Sequence, residues 1–195
     1  MAKVIVDMAM SLDGLISGPN GEDHGLHDYF FSPSGPTSEV IEEEFKMTGT
    51  ILMGRQAYEV GAAQGGYADD PYQVPTFVLT HHIPEKVARG AEAFIFVTDG
   101  IASALEQARA VTGNRDIVIG GGADIAQQYL KAGLVDEIQI HLIHILLGEG
   151  IRLFDQLRAE QIGLEKIRVI DSVGVTHLRF RVKKYRKEDE YVTGK

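Results

Sequence analysis

Apolar residues recur along this chain in two rhythms, and the rhythms separate strands from helices. Lys3 to Met10 (KVIVDMAM) is almost continuously apolar, the pattern of a strand buried on both faces. Shorter runs at Thr50–Met53, Pro75–Thr80, Ala93–Val97 and Asp116–Ile119 read the same way. Between them the spacing becomes helical. A helix is predicted from a cap at Thr37 or Ser38 to Met47, with Glu39 in its first turn and Val40, Ile41, Phe45 and Met47 on one face. Further helices are predicted over Gln56–Val60, Ile101–Val111 and Ala123–Lys131, the last stopped by Gly133. Asp136–Leu147 reads as a long strand, with Ile138, Ile140 and Leu142 on one face and Gln139, His141 and Ile143 on the other. The chain then predicts a hairpin, with arms Leu164–Ile170 and Val175–Tyr185 around a turn at Asp171–Gly174. In its second arm Leu178, Phe180 and Val182 alternate with Arg179, Arg181 and Lys183, so one face is expected buried and the other solvated.

Strands alternating with helices and then a hairpin imply an α/β fold of three α/β/α layers, with a mostly parallel central sheet and an antiparallel C-terminal hairpin. At 195 residues the chain reads as one domain over residues 1–185, followed by a charged tail at 186–195. Two polar loops interrupt the pattern, from Ser17 to about Pro36 and from Gly61 to Asp70. The aromatic run Tyr29-Phe30-Phe31 in the first either packs that loop down or lines a pocket.

Composition narrows the chemistry. A net charge of −9 argues against nucleic-acid or anionic-membrane binding. With no cysteine, disulfides, thiol catalysis and Cys-based metal sites are excluded. The N-terminus runs straight into a strand without a signal-peptide pattern, and no apolar run approaches a membrane span, so a cytoplasmic protein is expected. The long apolar strand at Asp136–Leu147 is expected to leave an edge or face that pairs two copies into a homodimer.

Two strand-to-helix turns carry glycine: Met53-Gly54-Arg55-Gln56 and Ile119-Gly120-Gly121-Gly122-Ala123. Glycine lets backbone approach a ligand, and the following helix N-terminus offers free N–H groups to an anion. Either turn alone is equally well explained as a tight chain reversal; together they suggest two grips on one dinucleotide. Among the acidic residues of the helix ending at Met47, Glu44 falls near the middle of the apolar face, Glu42 points away and Glu43 sits at the margin. A carboxylate there is costly unless paired or wet, so its pKa should rise, which suits a proton donor. Asp23, His24, His27 and Asp28 contain metal-ligating side chains, but without a helical ligand register a solvated loop is expected and no metal. His144 is expected buried or at an interface, and His141, on the opposite strand face, is a candidate substrate neighbour.

Several phrases stand in a telling order: Met8-Ala9-Met10-Ser11-Leu12-Asp13-Gly14, Leu52-Met53-Gly54-Arg55-Gln56-Ala57-Tyr58-Glu59, the strand from Pro75 to Thr80, the triple glycine, Gly133-Leu134-Val135-Asp136-Glu137, and Leu146-Leu147-Gly148-Glu149-Gly150-Ile151-Arg152-Leu153-Phe154. Over nearly its whole length the chain resembles the dihydrofolate reductase-like superfamily, in the branch of the C-terminal reductase domain of the bifunctional riboflavin-biosynthesis protein. The resemblance implies NADPH-dependent hydride transfer to a pterin-like or ribosylaminopyrimidine-type heterocycle. Reduction of another small carbonyl or imine, or nucleotide binding with little turnover, are the alternatives. It implies that Gly54, Arg55 and Gln56 hold the adenosine phosphates, that Leu79 and Thr80 flank the adenosine end, and that Gly120, Gly121, Gly122 and Ala123 take the pyrophosphate. Ala9 and Ile16 would border the nicotinamide, and Asp13 would lie near the mouth of the active site as the second proton-donor candidate after Glu44. It further implies a strained, often cis, peptide at the triple glycine. Arg55 gives the NADPH preference physical support, because a guanidinium offers a fixed fork of donors to a 2′-phosphate.

Overall fold

The apolar run near the start of the chain becomes β1 (Val4–Ser11) and lies inside the sheet, between two parallel neighbours. The computed structural model describes residues 2–90, 94–155, 157 and 161–183. After β1 come β2 (Leu15–Ser17), α1 (Asp28–Phe31), α2 (Pro36–Met47), β3 (Thr48–Gly54), α3 (Arg55–Ala63), β4 (Thr76–Leu79) and β5 (Ile95–Val97). The second half holds α4 (Ile101–Val111), β6 (Asp116–Gly121), α5 (Ala123–Lys131), β7 (Glu137–Ile143), β8 (Ile151–Arg152), β9 (Leu164–Ser172) and β10 (Val175–Val182). Among the described residues the main sheet runs β5-β4-β3-β6-β1-β7-β10-β9, and β2 pairs separately with β8. The ladders from β5 to β7 are parallel; β10 runs antiparallel to both β7 and β9. The charged tail expected at 186–195 lies outside the described residues.

Strand alternation sorts the side chains into three layers. Val4, Val6 and Met8 of β1, Phe77 and Leu79 of β4, and Ile138 and Ile140 of β7 pack into one core with Ala104, Leu105 and Ala108 of α4 and Ala126, Tyr129 and Leu130 of α5. Val78 points the other way and packs with Tyr58 of α3. On that second face Asp7, Gln139 and His141 meet Glu44 of α2. The α/β/α expectation therefore holds, with α4 and α5 on one face and α2 and α3 on the other.

Four local expectations change. The cap of α2 is Gly35, at φ 56, with Pro36 in the first turn, where its missing N–H costs nothing; Thr37 and Ser38 lie inside the helix. β7 ends at Ile143 rather than Leu147 because both its partners end there: Ser11 of β1 and Val175 of β10 are each in register with Ile143. The arginine-bearing face of β10 is not simply solvated. Arg179 is bonded to Glu137 at 2.8 Å and lies 3.6 Å from Glu43 of α2. Finally, β7 has both edges paired, so it offers no free edge to a second copy, and that argument for a homodimer falls. No helix among the described residues is long and apolar enough to cross a membrane.

Candidate active site

β3 and β6 are neighbours in the sheet, and Met53 is in register with Gly121. Their two glycine turns therefore lie side by side where α3 and α5 begin. The N-caps are Gly54 and Gly122, and neither cap closes its helix with a side-chain hydrogen bond. Gly122 has φ +90, a left-handed conformation that a Cβ would strain, and a Cβ there would sit 3.6 Å from the backbone of Gly54. A Cβ on Gly121 would fall 2.8 Å from the Cβ of Ala57. Side chains are thus excluded where the two turns meet, and bare backbone faces the cleft, the kind of surface that suits a pyrophosphate. The described peptide bonds include no cis bond; the backbone of the triple glycine turns instead through the positive φ of Gly122, which glycine adopts without strain.

Arg55 starts α3 and reaches across to the end of β4. Its Nη1 donates to the His82 carbonyl at 2.8 Å, its Nε donates to Glu59 Oε1 at 2.7 Å, and its guanidinium lies 5.9 Å from the Tyr58 ring centre. The Thr80 hydroxyl closes the same turn by donating to the His82 carbonyl at 2.8 Å. The expected cofactor residues Ala9, Ile16, Gly54, Arg55, Gln56, Leu79, Thr80 and Gly120 to Ala123 all line one cleft, together with Glu44 and His141. Its volume is about 1390 Å³, above the roughly 300–1,000 Å³ of a typical small-ligand pocket, so a dinucleotide and a second molecule have room.

The other end of the cleft is built from side chains. β1, β7 and β10 place Ala9, His141 and His177 in one register row and Asp7, Gln139 and Arg179 in the next. α2 lies over these rows. His141 Nε2 is 2.8 Å from Asp7 Oδ1 and 3.2 Å from Glu44 Oε1. Gln139 donates to Glu44 Oε1 at 2.6 Å and to Asp7 Oδ2 at 3.4 Å. Burial and then the charge of Asp7 push the Glu44 carboxyl upward, partly opposed by His141 and Gln139. Burial acts against charge on His141, but the carboxylates of Asp7 and Glu44 outweigh it and lift this imidazole to about 10. His177 goes the other way: its burial and the charge of His141 lower it to about 4.

These directions fix the tautomers. The two Nδ1 atoms of His141 and His177 are 2.6 Å apart, so one ring must donate. A charged His141 donates from both nitrogens, leaving neutral His177 to accept at Nδ1 and carry its proton on Nε2. That Nε2–H then donates to Thr37 Oγ1 at 3.0 Å. Tyr29 stacks on His141 with ring centres 4.9 Å apart, and Phe30, Phe45 and Tyr72 form an aromatic group beside it. The run at Tyr29-Phe30-Phe31 therefore does both things expected of it: it packs, and its three rings line the cleft.

Other singled-out residues lie elsewhere. Asp13 does not line the cleft; its carboxylate accepts from Ser11 Oγ at 2.6 Å, from the Leu147 N–H at 3.1 Å and from the Gly148 N–H at 2.7 Å. These bonds, the one from Ser11 foremost, lower it to about 2, and they tie the segment after β7 to the end of β1. His144 is exposed rather than buried, because β7 has already ended, and it bonds to the Thr176 hydroxyl at 2.9 Å. In the first loop His27 pairs with Asp23. The donor atoms that converge, within 4.8 Å of one another, are instead those of Asp7, Glu44 and His141. Asp7, His177 and Thr37 are the site residues that sequence reading missed. Asp7 had a signal, as the lone acid between Lys3 and Met10; His177 and Thr37 had none, since nothing local places them beside His141.

Comparison with known proteins agrees with this fold. A putative riboflavin biosynthesis protein from Shewanella sp. PV-4 superposes with a TM-score of 0.75 at 25% identity, over 93% of this chain and 99% of that one. Dihydrofolate reductase from Enterococcus faecalis, solved with NADP(H), superposes at 0.65 with 18% identity, over 93% and 97% of the two chains. The deaminase/5-amino-6-(5-phosphoribosylamino)uracil reductase of Thermotoga maritima superposes at 0.65 with 12% identity, over 93% of this chain and 57% of that one. The last two likenesses are of fold. Residues 2–181 match the model of the RibD C-terminal domain, and the chain belongs to that family.

Proposed function

We propose that the protein is an NADPH-dependent reductase that delivers hydride to a planar nitrogen heterocycle of the pterin or ribosylaminopyrimidine kind. One observation carries the reading: the paired glycine turns with Arg55 and the carboxylate–histidine group of Asp7, Glu44 and His141 open into a single cleft. Gly54 to Gln56 and Gly120 to Ala123 would hold the phosphates, Leu79 and Thr80 the adenosine, and Ala9 and Ile16 the nicotinamide, which supplies a hydride when bound. The chain's own task is placement and a proton. Glu44, its pKa raised by burial, is the proton donor at the cleft wall; His141, 3.2 Å away, returns a proton to it and keeps the pair of carboxylates oriented. His177, itself held by Thr37, accepts from the Nδ1–H of the charged His141 and so fixes the ring with its Nε2–H pointed at these carboxylates. NADPH oxidation by the purified protein against a panel of heterocycles tests the reading. Glu44→Gln should cut turnover and spare NADPH binding; NADPH binding without oxidation of any panel member would instead indicate a nucleotide-binding protein.

The same reading includes a homodimer, now through β9 rather than β7. Among the described residues β9 is an edge strand of the main sheet, and Leu164, Ile167 and Val169 on it are each more than 40% exposed, apolar side chains on a strand edge of the kind that pairs with a second copy. Sedimentation equilibrium at several concentrations tests it; a concentration-independent monomer refutes it.

A further inference from the structure

The helix that carries Glu44 is held in place differently along its length. α2 buries Thr37, Val40 and Ile41, all in its first half. From Glu42 to Met47 none of its residues is fully buried, and Phe45 meets Phe30 of α1 and Tyr72 edge to face. Two adjacent glutamates tie this half to the sheet. Glu44 accepts from Gln139 of β7 at 2.6 Å. Glu43 faces the hairpin: its Oε2 accepts from Arg168 Nη1 of β9 at 2.6 Å, and its Oε1 lies 3.6 Å from Arg179 Nη1 of β10. Arg179 Nε in turn donates to Glu137 of β7 at 2.8 Å, and Lys3 reaches the same carboxylate at 2.7 Å. Arg168 and Arg179 stand directly opposite each other in the ladder of the hairpin. Like charges so placed repel, and Glu43, which meets both, is the anion that offsets the repulsion.

We propose that Arg168 and Arg179 clamp Glu43, that this clamp sets the rotation of the last turn of α2 about its axis, and that Glu44 is thereby positioned at the cleft wall. The inference rests on the reductase reading for what Glu44 does, but not for where it stands. Successive residues of a helix point about 100° apart. With Glu43 fixed toward β9 and β10, Glu44 is directed at β1 and β7, where Asp7, Gln139 and His141 stand. The two oxygens of Glu43 are met from two different strands, so the carboxylate is held against turning. Glu43, Arg168 and Arg179 share a small hollow with Asp7, Glu44 and Gln139 and do not line the cleft itself. They are positioning residues behind the site. Their contribution to stability is small: the Arg168 and Glu43 side chains are 33% and 41% exposed, and an ion pair so exposed stabilises a fold little.

Arg168 is the member to change, because its loss leaves Glu137 paired with Arg179 and Lys3. The groups acting with Glu44 are Asp7 of β1, Gln139 and His141 of β7, and the rings of Tyr29 and Tyr72. Burial and Asp7 outweigh His141 and Gln139 and raise its carboxyl. Two effects of losing Arg168 therefore differ in sign. Removing a positive charge acts through space to raise Glu44 further; a last turn that swings into water, away from Asp7, lets it fall toward the ordinary range. The carboxyl carbon of Glu44 is followed by NMR across pH in the ligand-free full chain, its signal identified by its loss in Glu44→Gln. In Arg168→Met the titration should move to lower pH. Arg168→Lys, which keeps a cation within reach, should stay near the unmutated protein. Arg181→Met, which removes an exposed hairpin arginine paired with Glu165, should have no effect. The Tm of Arg168→Met should fall by no more than about 4 °C. Under the reductase reading its kcat should also fall at least about tenfold, since a misplacement of about 1 Å can cost about 10²-fold, with NADPH binding unchanged. An unchanged or upward titration in Arg168→Met, an equal fall in Arg168→Lys or Arg181→Met, a larger loss of Tm, or undiminished kcat overturns the clamp. If the unmutated protein reduces no heterocycle, the reductase reading falls, and the carboxyl titration still decides this one.

Discussion

The two ends of the cleft are built from different materials. The proposed cofactor end is mostly backbone, supplied by two short contiguous segments, Gly54–Gln56 and Gly120–Ala123, each lying at the joint between a strand and a helix. The substrate end is side chains from α1, α2, β1, β7 and β10. Glu44 and Gln139, bonded to each other, stand 95 positions apart, and Asp7 and His141 stand 134 apart. A backbone cradle depends on where glycine is allowed and tolerates change elsewhere. A side-chain cluster depends on register across several strands, so single substitutions can retune it. One architecture thus keeps a constant grip at one end and a variable one at the other.

The sharpest way to test the division is to change chemistry at the substrate end alone. Glu44→Gln keeps the shape and the bond from Gln139 but removes the proton. Turnover should fall by about 10²–10⁴-fold, the range for a lost general acid, with the NADPH dissociation constant unchanged. Glu42, which is exposed and paired with Lys46, serves as the control: Glu42→Gln should leave turnover as it was. If Glu44→Gln retains full activity, the proton comes from elsewhere and Glu44 is not the acid of the substrate end.

The converse change belongs at the cofactor end. Arg55→Ala should weaken NADPH by about 1.5–3 kcal/mol, as for a charge-assisted hydrogen bond, and leave NADH nearly unaffected. Equal losses for the two cofactors in parallel titrations would remove the 2′-phosphate from the argument. Gly121→Val tests the cradle itself. Its Cβ would fall 2.8 Å from Ala57 Cβ and 3.3 Å from Met53 Cβ, so α3 and β3 must give way. Overpacking of this kind costs about 1–3 kcal/mol, visible as a lower Tm, and NADPH binding should weaken with it. A variant with wild-type Tm and unchanged NADPH affinity contradicts the close approach of the two turns.

The same contrast explains how much could be read from the sequence. The strands and helices follow from local periodicity, and the residues proposed for the cofactor phosphates lie in two contiguous motifs, both of which line the one cleft. Glu44 was legible because helix geometry is local: the apolar stripe of α2 fixes which glutamate turns inward. Asp13 departs from the place its motif implies because N–H groups 134 and 135 positions away, those of Leu147 and Gly148, turn its carboxylate to the segment after β7. Apolarity continues past Ile143, so the sequence pattern overstates β7, and only the ends of β1 and β10 reveal where its pairing stops. His177 was invisible because its pairing with His141 exists through the register of β10 on β7, which no single segment encodes.

His177 offers the smallest and most specific test of the side-chain end. The groups acting on it are His141 of β7, Asp7 of β1 and Arg168 of β9, with Thr37 of α2 at its Nε2. Burial first and His141 second lower it from 6.5 to about 4. The folded protein therefore binds this proton less readily than the unfolded chain does. The stability from keeping His177 neutral is fully present above about 6.5 and is lost as pH falls toward about 4. Glu44, raised by burial, has the opposite sign, so the pH dependence of the unmutated protein is a balance and the informative quantity is a difference between proteins. Between pH 7 and pH 5.5 the His177 contribution is about 1 kcal/mol, or roughly 2–4 °C in Tm for a chain of this size. His177→Gln can still donate to Thr37 but has no proton to gain. Its Tm should start below that of the unmutated protein at pH 7, and the gap should close by about that amount at pH 5.5. Two parallel Tm curves across this interval would mean that His177 titrates alike in the folded and unfolded chain and does not stay neutral to accept from His141.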